Sequence, residues 1–226
     1  MYLSYFKLGQ HLVMSADRTL FWEDQSTLIV ADLHVGKTGH FRKSGIGVPA
    51  QVYKEDLQRL LAQVLFFKAE RLIIVGDLTH SVANRELDLF AKWRKDFSSL
   101  NIELVKGNHD ILSAKWYADV KINVTDNCLV HAPFSFMHDI GDCGETIEGY
   151  AFSGHIHPGI TVHGKGRQSL SFPCFYFGNE YCVLPAFSRF TGIYRIQPKK
   201  GEEVFAVSGK EIWAVQAELR GKKLTS

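Results

Sequence analysis

The chain has 226 residues, 46% of them hydrophobic and 22% charged, with a formal net charge of +2 and a pI near 8.3. This is the composition of an ordinary globular protein large enough to bury a core without staples. The basic bias is too weak to argue for nucleic-acid binding by itself. The four cysteines, Cys128, Cys143, Cys174 and Cys182, are scattered and form no CxxC pair, so neither a zinc knuckle nor a small disulfide framework is expected. No run is long enough to span a membrane, and the N-terminus lacks the apolar core of a signal peptide. A cytoplasmic protein of one domain, residues 1–226, is the expectation.

In chain order, "DRTLFW" reads as hairpin-like and leads into "LIVAD" (28–32), a short β-branched run typical of a buried strand. The segment "VPAQVYKEDLQRLLAQVLFFK" follows. Pro49 suits a first helical turn, and Val52, Leu57, Leu60, Leu61, Val64 and Leu65 recur at near-helical spacing. "LIIVGD" (72–77) is the next strand. Asn84 then caps a predicted helix with Leu87, Phe90, Trp93 and Phe97 on one face. "IELVKG" (102–107), "CLVHA" (128–132), "YAFSGH" (150–155) and "YCVLPAF" (181–187) continue the strand series. The Phe-rich stretch 172–178 reads as core packing beside a sheet. "VFAVSG" and "EIWAVQ" form a hairpin turning at Gly209, and "RGKKLTS" reads as a basic tail. Strand and helix alternate in the first half, which argues an α/β sheet.

Asp32, Asp77, Asn108, His131 and His155 each fall at the carboxyl end of a predicted strand. In α/β sheets ligands gather beyond those ends. His155 and His157, in "AFSGHIHPGI", are two residues apart on an extended segment and so point to one side of a sheet. Alone that pair is as compatible with ordinary polar residues as with ligands.

Written in order, the pieces are "ADLHVGK", "VGDLTH", "KGNHD", "LVHAP" and "SGHIHPG". This series, spanning roughly residues 28 to 160, resembles the ordered motifs of the calcineurin-like metallophosphoesterases. The resemblance implies a four-layer α/β/β/α sandwich of two mixed sheets flanked by helices. It also implies a centre of two divalent metal ions that hydrolyses phosphoesters by attack of a metal-bridging hydroxide. Asp32, His34, Asp77 and His157 would hold one ion; Asp77 as bridge, Asn108, His131 and His155 would hold the other. The mixed oxygen and nitrogen ligand set, without thiolate, suits Mn, Fe, Co or Zn, and Mn is the expected ion.

By the same resemblance His109 protonates the leaving oxygen or orients the phosphate. The aspartate that partners it in the family's protein phosphatases is replaced here by His80, in "GDLTH". The loop "HVGKTGHFRKSGIGVP" places Lys37, His40, Arg42 and Lys43 soon after His34, a cationic loop able to grip a substrate phosphate or a nucleic-acid backbone. The pattern "DLHxGK…FR…G…VP" resembles the bacterial DNA-ligase-associated metallophosphoesterases. That implies a phosphodiester substrate, DNA cleavage in repair, and functional association with a DNA ligase and helicase. His11 and His163 read as solvated, and His138, in "SFMHDIGD", reads as structural, although its loop follows His131. A small-molecule phosphomonoesterase is the alternative activity, because the metal core is common to both and specificity lies in the loops. A non-catalytic scaffold is disfavoured, since every ligand position and His109 are filled.

Overall fold

The computed structural model describes residues 1–43, 45, 47, 51–80, 85–142, 149–163 and 168–215; the side chains of His40, Arg42, Lys43 and Gln51 are not among what is described. Pro49, Asn84 and the basic tail, singled out in the sequence, lie outside these residues.

Seven strands form the first sheet in the order of the chain. They are β1 (Tyr2–Lys7), β2 (Gln10–Ser15), β3 (Leu20–Trp22), β4 (Thr27–Ala31), β5 (Arg71–Val75), β6 (Asn101–Val105) and β7 (Ile122–Thr125). β1 to β4 pair antiparallel, and β4 to β7 pair parallel. The parallel half is crossed over by α1 (Lys37–Lys43), α2 (Gln51–Phe67), α3 (Arg85–Asp96) and α4 (Ala114–Asp119). Its strands read as unbroken apolar runs because both faces are covered. On β4, Leu28 and Val30 join the helix-side core while Ile29 and Ala31 join the core between the sheets; Leu72 and Ile74 against Ile73 and Val75 repeat this on β5.

The second sheet contains β8 (Cys128–His131), β9 (Phe134–Met137), β10 (Tyr150–Ser153), β11 (Pro158–His163), β12 (Ser169–Phe177), β13 (Tyr181–Val183) and β14 (Tyr194–Arg195). Its order is β14-β11-β12-β13-β10-β9-β8. The hairpin of β15 (Glu203–Ser208) and β16 (Glu211–Val215) pairs with β12 and turns at Gly209, which has a φ of +58°. Phe134, Phe136, Phe152, Phe175 and Phe177 fill the space against Met14, Trp22, Ile29 and Val75 of the first sheet. The Phe-rich stretch is therefore core, as its sequence indicates.

The architecture is α/β, two mixed sheets flanked by few helices. Among the described residues, α2, α3 and α4 all contribute to the core on the first sheet. Cys174 and Cys182 are buried free thiols, whereas Cys128 is disulfide-bonded. Scattered spacing along a chain says nothing about Cβ separation in space, which is what decides pairing. Among the described residues no helix is long and apolar enough to cross a membrane.

One topological detail positions the site. β9 and β10 run parallel, so their carboxyl ends share one edge, while β8 runs antiparallel to β9 and ends at the other. The segment after β13 then crosses between the sheets: Leu184 N–H donates to Ser153 O at 2.8 Å and Phe187 N–H to Ala31 O at 2.8 Å. The carboxyl ends of β4, β5, β9 and β10 converge on this crossing.

Candidate metal centre

Asp32 follows β4, and His34 lies two residues on. Asp77 follows β5, Asn108 follows β6, His138 follows β9, and His155 and His157 follow β10. The loops after β4 and β5 are zipped together past the strand ends. Asp32 N–H donates to Gly76 O (3.2 Å), His34 N–H to Asp77 O (2.9 Å), Val35 N–H to Leu78 O (2.8 Å) and His80 N–H to Val35 O (2.9 Å). Each carboxylate is then tied to a different loop. His155 N–H donates to Asp32 Oδ2 at 3.1 Å, and His109 N–H donates to Asp77 Oδ1 at 3.0 Å.

Two groups of potential ligand atoms result: Asp32, His34 and His157, and Asp32, Asp77 and His138, the atoms of each lying within 4.8 Å of one another. Nε2 of His34 and Nε2 of His157 face each other at 3.3 Å, and His157 Nε2 lies 3.7 Å from Asp32 Oδ1. Asp32 is common to both groups, and Asp77 of the second also approaches the first, with Oδ2 3.9 Å from His34 Nε2 and Oδ1 3.6 Å from His138 Nε2. On the far side, His138 Nε2 lies 3.1 Å from Asn108 Oδ1 and 3.0 Å from His155 Nδ1. Nε2 of His155 faces outward, 3.8 Å from Asp139 Oδ2, the carboxylate placement that orients a ligating imidazole.

The sequence expected His131 in the place that His138 occupies. His131 instead sits at the opposite end of the second sheet, its Nε2 2.9 Å from Glu103 Oε2, and Glu103 also holds Arg71 Nε at 2.9 Å. The cause is strand direction: β8 carries its carboxyl end away from the site, and β9 carries His138 towards it. The two strands differ in burial, complete for "FSFM" before His138 and partial for β8, a difference that only the structure shows.

The backbone at the site is unusual. Asp32 (φ 55°), His34 (50°), Asp77 (48°), His155 (69°) and His157 (51°) are all left-handed. For residues with a Cβ, sparsely populated backbone of this kind costs on the order of 1–3 kcal/mol each and clusters at functional sites. The inter-loop hydrogen bonds offset it. Glycine is required where the loops approach the side chains. A Cβ on Gly76 would lie 1.8 Å from His138 Nδ1, and one on Gly107 would lie 2.2 Å from Asp77 Oδ1.

Burial sets the protonation. His34 is pushed down to about 2 by desolvation, assisted by Lys37 and the neighbouring imidazoles, so its ring is neutral and keeps a lone pair at neutral pH. Desolvation raises Asp77, opposed by His138 and the His109 N–H. Burial lowers Lys37, opposed by the pull of Asp32 and Asp77, which places the Lys37 ammonium within reach of the centre's field. His138 Nδ1 is buried without a hydrogen-bond partner. Carboxylate oxygens, an amide oxygen and imidazole nitrogens thus converge, the donor set that suits a divalent transition-metal ion.

His109 is partly exposed beside Asp77, its ring 5.5 Å from that of His34 and 4.5 Å from that of His80. His80 stands behind the centre with Nδ1 3.4 Å from His34 Nδ1. Asp110, which the sequence reading passed over, organises these loops from beneath. Fully buried, it accepts from Thr79 N–H (2.8 Å), Gly107 N–H (3.0 Å) and Leu78 N–H (3.3 Å). Buried Glu86 does the same for the next loop, accepting from Gly36 N–H at 3.0 Å and from the Thr38 hydroxyl. Lys37 opens α1 beside the centre; His40 and Arg42 are on the same helix, and their side chains are outside what is described.

A two-sheet α/β fold with a carboxylate and imidazole centre at converging strand ends defines a metal-dependent phosphoesterase. The family model for calcineurin-like phosphoesterases matches residues 26–213, and the chain belongs to that family. Among solved structures, it is similar to the nuclease MPE of Pseudomonas putida, with 29% identity, 95% of this chain and 100% of that one covered, and a TM-score of 0.80. Similarity to YfcE, a phosphoesterase from E. coli, is lower, with 14% identity, 84% and 98% coverage and a TM-score of 0.45. No curated protein sequence matches it.

Proposed function

We propose that the chain is a dinuclear phosphodiesterase that cleaves nucleic acid. Asp32, His34, Asp77 and His157 would hold one divalent ion, and Asp77, Asn108, His138 and His155 the other, with Mn as the ion. The observation that carries this reading is Asp77, whose two oxygens face His34 on one side and His138 on the other. Bound there, divalent ions supply Lewis-acid polarisation of the phosphoryl group and a nucleophile at neutral pH.

The chain's own residues do the rest. Lys37 grips a non-bridging phosphate oxygen. His109 gives a proton to the leaving oxygen, and the His80 ring, 4.5 Å away, fixes its orientation. His80 in the family aspartate's position leaves this pair without a carboxylate. Resemblance along the full chain to a bacterial nuclease supports nucleic acid as the diester, and a role in DNA repair beside a DNA ligase and helicase is part of the proposal.

The test compares bis-p-nitrophenyl phosphate with p-nitrophenyl phosphate under Mn²⁺. Preferential diester turnover, abolished by chelator, is expected. Preference for the monoester would replace this reading with that of a small-molecule phosphatase.

A further inference from the structure

The segment that crosses between the sheets is fastened to one of the two ligand groups. Phe187 N–H donates to the Ala31 carbonyl at 2.8 Å and Ser188 N–H to the Asp32 carbonyl at 3.2 Å. Further on, Tyr194 N–H donates to the His157 carbonyl at 2.9 Å. Leu33 and Val35, on either side of His34, border a small cavity together with Phe187 and Tyr53. Asp32, His34 and His157 are the members of that group. The crossing segment is thus bonded to the backbone of two of them and packed beside the third.

The carbonyls of this segment are held from behind by charge. Arg18 Nη1 donates to Ala186 O and to Ser188 O, both at 3.1 Å. Arg59, on α2, donates from Nη2 to Phe187 O, and its guanidinium lies 4.1 Å from the centre of the Phe187 ring. The same Nη2 is 3.0 Å from Asp56 Oδ1, and Asp56 Oδ2 accepts from Arg189 N–H at 3.2 Å. Asp56 and Arg59 are both buried. Burial lowers Arg59, opposed by Asp56, only to about 10, so it stays charged at neutral pH. Among the described residues Arg59 Nε and Nη1 have no hydrogen-bond partner. A buried ion pair left partly unsatisfied is a costly way to pack a helix, and apolar side chains would do that work more cheaply. What the charges add is direction, because forked donors fix three consecutive carbonyls where apolar packing would let them slide. The left-handed backbone of Asp32 (φ 55°) and His157 (φ 51°) persists only where its surroundings over-determine it.

We propose that Arg59, Asp56 and Arg18 form a buried latch that positions the ion held by Asp32, His34 and His157, acting through the crossing segment. They are positioning residues, since their hold on the ligands runs through the backbone of residues 186–189. The proposal rests on reading the centre as one of two divalent ions, and the experiment separates the two.

Mn²⁺ binding to the full chain is titrated by the paramagnetic resonance of the free ion, and amide hydrogen exchange is followed by NMR in chelator. Arg59→Met is expected to weaken one of the two ions by about 10–100-fold and to leave the other at parental affinity. In the same variant the amides of Phe187, Ser188 and Tyr194 are expected to exchange about tenfold faster or more, while those of β5 hold. Arg59→Lys keeps a cation beside Asp56 and a donor for Phe187 O, and is expected to recover most of both effects. Arg18→Met leaves the Arg59–Asp56 pair whole and is expected to weaken the same ion to a smaller degree, which keeps the test open should Arg59→Met not fold. Parental affinity for both ions in folded variants of lowered melting temperature would assign these residues to stability alone and overturn the latch. Equal weakening of both ions, or unchanged exchange at Phe187 and Ser188, overturns it too. Fewer than two ions in the parent chain overturns the two-ion reading instead, and the exchange arm still decides the latch.

Discussion

Nε2 of His138 lies 3.1 Å from Oδ1 of Asn108, while His131, seven residues earlier in the chain, is held by Glu103 at the far end of the same sheet. The two histidines are therefore not interchangeable candidates. His138→Ala is expected to lose one metal equivalent and diester turnover, with His131→Ala retaining both. Metal content by plasma mass spectrometry on the two purified variants checks this, and the reverse pattern would return the ligand to β8.

His109 donates its backbone N–H to Asp77 Oδ1, and its ring lies beside those of His34 and His80. Its backbone, not its imidazole, serves Asp77, which leaves the ring nitrogens for proton transfer. His109→Ala is expected to keep both metals and to lower kcat by about 10²–10⁴-fold, the usual contribution of a general acid. The fall should shrink on substrates with good leaving groups, which need no proton. Equal losses on good and poor leaving groups would assign His109 to phosphate positioning.

Asp110 tests the loop organisation. Removing its carboxylate strands the buried N–H groups of Leu78, Thr79 and Gly107. Asp110→Ala is expected to destabilise the fold by roughly 2–4 kcal/mol, as several buried donors lose their acceptor, and to lower activity with it. Asp110→Asn keeps an acceptor oxygen and is expected to recover part of both. Urea denaturation with parallel rate measurements reads the outcome, and parental stability in Asp110→Ala would contradict it.

The alkaline limit follows from buried thiols. Burial pushes Cys174 up to about 12 from an ordinary 9.0, and raises Cys182 in the same direction. Above the ordinary thiol pKa the unfolded chain has released protons that the folded chain retains. Stability is therefore complete below that value and falls as pH rises towards the folded pKa, by up to about 1.4 kcal/mol per pH unit for each group. Buried Tyr150 is raised too and acts in the same sense. Urea midpoints taken at rising pH should drop through this window, and less steeply in Cys174→Ala.

Much of this was legible in the residues. The runs leading to Asp32, Asp77 and Asn108 announced buried strands because they are almost wholly apolar, and His155 and His157 stood out through the ordered motif series, their spacing alone leaving them undecided. What was not legible was direction. "CLVH" and "FSFM" are both short apolar strands, and only their antiparallel pairing decides which one delivers a histidine to the centre. Asp110 was hidden for a related reason: its partners lie three residues away at Gly107 and about thirty away at Thr79, a contact that requires β5 and β6 to be neighbours.

The central claim is that Asp77 holds the two halves of one metal centre together. Metal content and Mn²⁺-dependent hydrolysis of bis-p-nitrophenyl phosphate, measured side by side on the parent chain and on Asp77→Ala, test it most directly. Two ions per chain with diester turnover in the parent, and loss of both in Asp77→Ala, are expected. Two tightly held ions and near-parental turnover in Asp77→Ala would contradict it.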